Sequence, residues 1–222
     1  MDLNWTDFLT PVWLSIKISV ITSVIVFILA TAAAKIMAHR RFRGRSLVET
    51  VLLLPLVLPP TVVGFILLVL LGRRSWIGRL YEQFTAHTIL FTWIAAVIAS
   101  VIVAFPLVYR TVKTGFEGIE RDLEDAARAQ GATELQVLRY VTLPLASRSL
   151  AAGYVLGFAR GLGEFGATIM VAGNIPGRTQ TVPTAIYVAV DGGNMVLAWM
   201  WVCSIIAISA VMLMIVNRTH KE

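Results

Sequence analysis

The sequence predicts an all-helical integral membrane protein with about five crossings, and three observations carry that expectation. Hydrophobic residues make up 57% of the 222-residue chain, charged residues only 14%, and the mean hydropathy is +0.78. Ordinary soluble domains are about 45–50% apolar and about 25% charged. A chain of this size cannot hide so much apolar surface in its own interior, so lipid must cover much of it. Five stretches, 11–38, 47–72, 87–111, 145–172 and 194–216, are each long and apolar enough to cross a bilayer as a helix. None of them shows the alternation of barrel strands, and helices then satisfy the backbone in lipid.

The net charge of +6 does not indicate nucleic acid, because the basic residues gather between the apolar runs and form no stripe with interleaved aromatics. Cys203 is alone inside an apolar run, which excludes an intrachain disulfide and a Cys-rich metal site. His39, His87 and His220 are scattered, so no metal or acid/base cluster supports a membrane enzyme. The first residues carry Asp2 and Asp7 and no Lys or Arg, unlike the positive start of a secretory signal. Lys35, Arg40, Arg41, Arg43 and Arg45 then follow the first apolar run as a stop-transfer flank, so that run is expected to stay as a helix.

Orientation follows from the same basic residues. Five flank the first loop. Arg110, Lys113, Arg121, Arg128, Arg139 and Arg148 flank the third, and Arg218 and Lys221 end the chain. Arg73, Arg74, Arg79 and Arg178 lie on the other side, giving thirteen against four. The N-terminus is expected outside and the C-terminus in the cytoplasm. Trp76 and Tyr81 fit an interfacial belt beside the second loop.

The second span contains Leu54-Pro55-Leu56-Val57-Leu58-Pro59-Pro60-Thr61-Val62-Val63-Gly64. Its prolines break the hydrogen-bond ladder, which predicts a kinked helix bordering a cavity around Pro59 and Pro60. Pro106 is expected to bend the third span as a packing kink.

The third loop, about 112–144, is long and mixed in charge. Leu135, Leu138 and Val141 recur at three-residue spacing, with Val137 and Tyr140 widening the face. Leu123, Ala126 and Ala127 form a smaller face bordered by Glu120, Glu124 and Asp125, and Gly131 offers a turn between the two stretches. Two short amphipathic helices with a glycine hinge are expected, with Leu143-Pro144 opening the fourth span.

In that fourth span, Gly153, Gly157 and Gly161 share one helix face and permit close packing. Arg160 and Glu164, four apart, are neighbours on a face. A charge near the bilayer centre costs about 2.5–3.5 kcal/mol on insertion scales, so the pair must face protein or water. A structural ion pair and a pathway element are both open readings. The stretch Asn174-Ile175-Pro176-Gly177-Arg178-Thr179-Gln180-Thr181-Val182-Pro183-Thr184 reads as a turn-rich external loop whose amides and hydroxyls suit either an oxyanion or plain solvent.

The loop residues Asp125-Ala126-Ala127, then Gly131, then Val141-Thr142-Leu143-Pro144, resemble the coupling loop of binding-protein-dependent ABC importers. Asp125 stands where Glu is usual there, and Val141 where Ile is usual. An amphipathic helix lying on the membrane surface is the alternative, but small alanines suit close docking better. The runs Phe158 to Thr168 and Gly173 to Thr181 are similar to the molybdate/sulfate branch of such permeases. The proline-rich run of the second span looks more like its molybdate and tungstate member.

The resemblance implies one transmembrane domain of the type I importer fold over residues 1–222 and transport by alternating access. It makes Glu124, Asp125, Ala126, Ala127, Gly131, Leu143 and Pro144 the ATPase-coupling loop. Pro59, Pro60, Arg160, Glu164, Thr168 and Asn174 are candidates for the pathway or gate. The implied partners are a second copy of the chain, two ATPase subunits that use ATP and Mg, an extracytoplasmic oxyanion-binding protein and membrane lipid. No cofactor is expected on this chain. It has no P-loop, and Gly161-Leu162-Gly163-Glu164-Phe165-Gly166 lies in an apolar span without the strand that a dinucleotide fingerprint requires. Within the branch, sulfate or thiosulfate is the alternative cargo. An ion-gradient carrier is the remoter rival, since no inverted repeat is evident.

Overall fold

The computed structural model describes residues 5–39 and 42–219, and these are helical with no strand among them. Asp2, Arg40, Arg41, His220 and Lys221 lie outside the described residues. In chain order the helices are α1 (Trp5–His39), α2 (Arg45–Val57), α3 (Pro60–Leu71), α4 (Trp76–Thr85), α5 (Trp93–Glu117), α6 (Arg121–Ala129) and α7 (Glu134–Val137). A π-helical turn (Leu138–Thr142) leads into α8 (Leu143–Leu145), α9 (Ser147–Leu162), α10 (Gly166–Ala172), α11 (Val182–Asp191) and α12 (Met195–Thr219).

Three helices, α1, α5 and α12, are long and apolar enough to cross a membrane alone, and counting each of the bent pairs α2–α3 and α9–α10 as one span brings the total to 5 among the described residues. Of the five expected spans, three are continuous helices and two are bent helix pairs. The α2–α3 pair bends by 111°, far beyond a simple kink. Leu58, preceding a proline, is extended at φ −71°, ψ 140°, and Pro59 is extended too, so α3 restarts with Pro60 in its first turn. Leu52 and Leu53 of α2 pack on the cluster formed by Val26, Ala30, Ala34, Val108 and Phe116. Val63, Leu67 and Leu71 of α3 pack on the other cluster, with Ile18, Ala95 and Ala99. The α9–α10 pair bends by 56° around Gly163-Glu164-Phe165, which the sequence reading treats as one helix. By contrast, α5 runs unbroken through buried Pro106.

Lipid offers no hydrophobic drive between helices, so their association depends on close van der Waals contact. The α1–α5–α9 core uses small residues for this purpose. A Cβ on Gly153 would stand 2.8 Å from Val112 Cγ2, one on Gly157 3.1 Å from Val108 Cγ2, and one on Gly161 3.4 Å from Ser19 Cα. The glycine face therefore packs within the chain. At the edge, α12 is tied to α1 by the Trp201 indole N–H donating to the Phe8 carbonyl at 3.1 Å. Two elements read as loops are helical. α11 starts at Val182, whose N–H donates to Ser15 Oγ at 2.8 Å. In α4, Trp76, Leu80 and Phe84 fall at four-residue intervals and are all exposed, as an interfacial helix requires.

The bundle has two ends, named here for a residue each carries: the Gly131 end, with α6 to α8, and the Trp93 end, with α4 and the start of α5.

Candidate functional site

At the Gly131 end the loop folds as two short helices about a glycine turn. Gly131 sits at φ +91°, the left-handed region that glycine reaches without strain. α7 begins with a capping box, Thr133 Oγ1 accepting from Gln136 N–H while Gln136 Oε1 accepts from Thr133 N–H. Arg128 staples the two helices together, reaching Glu134 Oε1 at 2.7 Å across the turn and Asp125 Oδ1 at 2.7 Å on its own helix. The guanidinium holds the Glu134 carboxyl below the ordinary range, and those carboxylates raise Arg128 in turn.

Glu124 is the organising residue. Expected at a polar border, it is only 5% exposed. Lys35 Nζ at the end of α1 lies 2.8 Å from Glu124 Oε1, and Thr142 Oγ1 in the π-helical turn donates to the same oxygen at 2.6 Å. Lys35 also donates to Thr142 Oγ1 at 3.3 Å, and Arg128 reaches Glu124 Oε2 at 3.3 Å. Burial alone would raise this carboxyl. The hydrogen bonds from Lys35, Thr142 and Arg128, with the lysine charge, win and hold it at about 2. Three segments distant in sequence thus meet on one carboxylate. Nearby, Arg45 pairs with Glu117 at 3.3 Å and Lys113 with Glu49, joining α2 to the end of α5.

With Glu124 turned inward, the loop turns other residues out. Leu135 and Tyr140 are 73% and 69% exposed, and Leu123, Asp125, Ala126 and Pro144 are exposed as well. Ala127, Gly131 and Val141 line a shallow cavity of about 350 Å³ beside Tyr140. Leu143 is half-buried, and Val137 packs inward. A large apolar knob beside a small-residue hollow, on a polar loop, is a docking shape.

The second constellation lies where the two broken spans meet. A Cβ on Gly166 would be 3.0 Å from Pro60 Cβ, and one on Gly64 would be 2.9 Å from Ala167 Cα. The Pro59–Pro60 and Gly163–Phe165 breaks are therefore neighbours. Glu164, 2% exposed, accepts the Ala167 N–H at 2.8 Å through Oε1, capping α10, and pairs with Arg160 Nη1 at 2.7 Å through Oε2. Thr168, one turn further, is buried and its hydroxyl has no hydrogen-bond partner among the described residues. Asn174 is not at the break, since α10 rises roughly 10 Å before reaching it. Its buried Oδ1 also lacks a described partner.

Sequence reasoning passes over Lys35 and Thr142 as site residues. Lys35 reads as a stop-transfer flank and Thr142 as part of a motif, and nothing local announces that Glu124 will join them.

A multi-pass bundle with two broken spans and a braced, knob-bearing loop at one end defines the membrane-embedded part of a transporter. Residues 26–221 match the family described as the binding-protein-dependent transport system inner membrane component, and the chain belongs to it. Over 221 residues it is 51% identical to YvgM of Bacillus subtilis, provisionally named a molybdenum transport system permease protein, covering 99% of this chain and 97% of that one. It is 43% identical to the molybdenum transport system permease protein ModB of Escherichia coli over 191 residues, 86% of this chain and 81% of the relative. The sulfate transport system permease protein CysT of Salmonella typhimurium is 35% identical over 189 residues, 85% of this chain and 68% of that one. In fold it is similar to a bacterial ABC transporter involved in importing the acidic polysaccharide alginate, with a TM-score of 0.78 at 15% identity over 97% of this chain and 79% of that chain.

Proposed function

We propose that this chain is the membrane-spanning permease subunit of an ATP-driven importer that carries molybdate or tungstate into the cytoplasm by alternating access. The single observation that carries the mechanism is the loop at the Gly131 end, fastened inward by Glu124 and presenting Leu135 and Tyr140 outward. The cargo reading is supported by the molybdenum permease relatives, which are more similar to this chain than the sulfate relative.

In this reading the Gly131 end is cytoplasmic, the N-terminus is outside and the C-terminus inside, as the basic loops favour. The working unit pairs two copies of this permease, as one transmembrane domain each, with two ATPase subunits and an extracytoplasmic oxyanion-binding protein. ATP and Mg belong to the ATPase. Nucleotide closure of that motor pushes on Leu123, Leu135 and Tyr140. Lys35 and Thr142 carry the displacement into α1 and α9. The pathway runs by the paired breaks, with Pro59, Pro60, Arg160, Glu164 and Thr168, and on past Asn174. Glu164 tempers Arg160, so that a passing dianion is not trapped.

A cysteine at Leu135 tests this reading when the transporter is reconstituted with its ATPase and binding protein. It should cross-link to the ATPase, and Leu135→Asp should abolish molybdate uptake. Failure of both overturns the assignment, whereas uptake of sulfate but not molybdate by the wild type would move the cargo and keep the mechanism.

A further inference from the structure

A cavity of about 750 Å³ opens at the Trp93 end, between α1, α4, the start of α5 and the 175–179 turn. Lys17, Arg73 and Arg178 line it, and none of its lining residues is acidic. Arg73 shares its charge with Glu82 at 3.4 Å. Among the described residues, Lys17 and Arg178 have no carboxylate within 4.0 Å.

Lys17 is the informative member. It is twelve residues into α1, inside an apolar span, where a charged side chain is costly and marks a site by default. Its ammonium lies 3.8 Å from the centroid of the Trp93 ring. A cation–π contact of this kind orients the ammonium without neutralising it. Trp93 is also the first residue of α5, a 25-residue helix whose opening turn lines the same cavity and adds its positive dipole end. A partly sheltered space with two cations free of carboxylates, a third paired with Glu82, an opening helix and no lining carboxylate is built for a compact anion.

We propose that this cavity is a permease-borne subsite for a tetrahedral oxyanion dianion, with Lys17 as the principal ligand and Arg178 as a rim ligand. It receives the anion on the outer side before the pathway opens. The assignment rests on the importer reading for the identity of the anion and for the side on which the cavity lies.

The test uses the whole transporter, permease with its ATPase subunits, in nanodiscs without the binding protein. Equilibrium binding of radiolabelled molybdate is measured for wild type, Lys17→Gln, Lys17→Arg and Arg178→Gln. Wild type should bind saturably, with tungstate competing. Lys17→Gln should bind at least about tenfold more weakly, Arg178→Gln a few-fold more weakly, and Lys17→Arg close to wild type. Rescue by arginine and the separate rim variant guard against simple misfolding. The proposal is overturned if wild type binds no molybdate at millimolar concentration, or if Lys17→Gln binds like wild type. Binding protein is then titrated onto the same nanodiscs in a separate arm, and substitutions that weaken only its association, leaving molybdate binding unchanged, overturn the proposal by making the cavity a docking contact. In the same wild-type nanodiscs, stimulation of ATP hydrolysis by molybdate-loaded binding protein tests the importer reading separately. Stimulation without direct anion binding keeps that reading and removes this subsite.

Discussion

Glu124 and Glu164 are buried to similar depth, yet their surroundings differ in kind. Glu124 joins residues far apart in the chain, Lys35 from α1 and Thr142 from the π-helical turn, with Arg128 of its own helix also on the carboxylate. Glu164 has only local partners: the Ala167 N–H donates to Oε1, and Oε2 faces the Arg160 guanidinium as an ion pair, with no hydrogen bond to it among the described residues. The first network fastens separate elements into one body. The second shapes a single span at its break, beside the unpartnered hydroxyl of Thr168. A carboxylate held from several elements resists their separation, whereas one held along a single helix leaves the neighbouring elements to be joined by packing alone.

The contrast breaks most readily at Lys35. Lys35→Met leaves a buried carboxylate without its main partner, which costs about 3 kcal/mol, the low end for such pairs because Lys35 itself is partly open. Thermal melting of the reconstituted transporter should fall by several degrees. Glu124 titration should show the same energy as a pH effect. Its folded-state value lies below the ordinary 4.5, so its contribution is fully present above 4.5 and is lost as pH falls from 4.5 towards 2. Melting scans between pH 7 and 3 should show that loss in wild type and not in Glu124→Gln.

Gly64→Ala acts on the contact between the breaks. Its methyl would stand 2.8 Å from Met170 Cβ and 2.9 Å from Ala167 Cα, so α3 and α10 must part, at about 1–3 kcal/mol. Uptake should fall with stability. Gly131→Ala meets no atom within 4 Å, and only its φ of +91° resists, costing about 1–2 kcal/mol confined to the loop. Glu164→Gln keeps the acceptor for Ala167 N–H and loses only the charge facing Arg160. Because the lost carboxylate charge is buried, stability should fall by about 1–3 kcal/mol, while uptake slows because the arginine is no longer tempered. An unchanged uptake rate would reduce the Arg160–Glu164 pair to a helix brace.

Much of this architecture is legible in the residues alone. Apolar run length locates the three continuous spans and the two bent pairs, Gly131 marks the hinge, and Gly153, Gly157 and Gly161 announce the packed face, because each is a local property. The prolines at 59 and 60 announce a break but not its 111° angle, which depends on where α3 and α10 can pack. The break at Gly163–Phe165 carries no proline, and its signals, the glycines at 161, 163 and 166 and the Arg160–Glu164 pair, also fit a continuous helix with a packed face. Glu124 is misplaced by periodicity for a related reason. A short polar helix presents carboxylates on several faces, and only the arrival of Lys35 and Thr142 from afar makes one of them the inward face. Lys17 is visible as a charge in an apolar span, but its cavity is assembled by α4 and the 175–179 turn, whose positions no local pattern specifies.

The central claim is that the Glu124 network converts loop displacement into movement of the bundle. The most direct measurement is molybdate uptake per ATP hydrolysed in proteoliposomes, comparing wild type with Lys35→Gln, each carrying the Leu135→Cys reporter. The account predicts that cross-linking to the ATPase persists in Lys35→Gln while uptake per ATP falls by at least about tenfold. Persistent cross-linking with an unchanged ratio would contradict it.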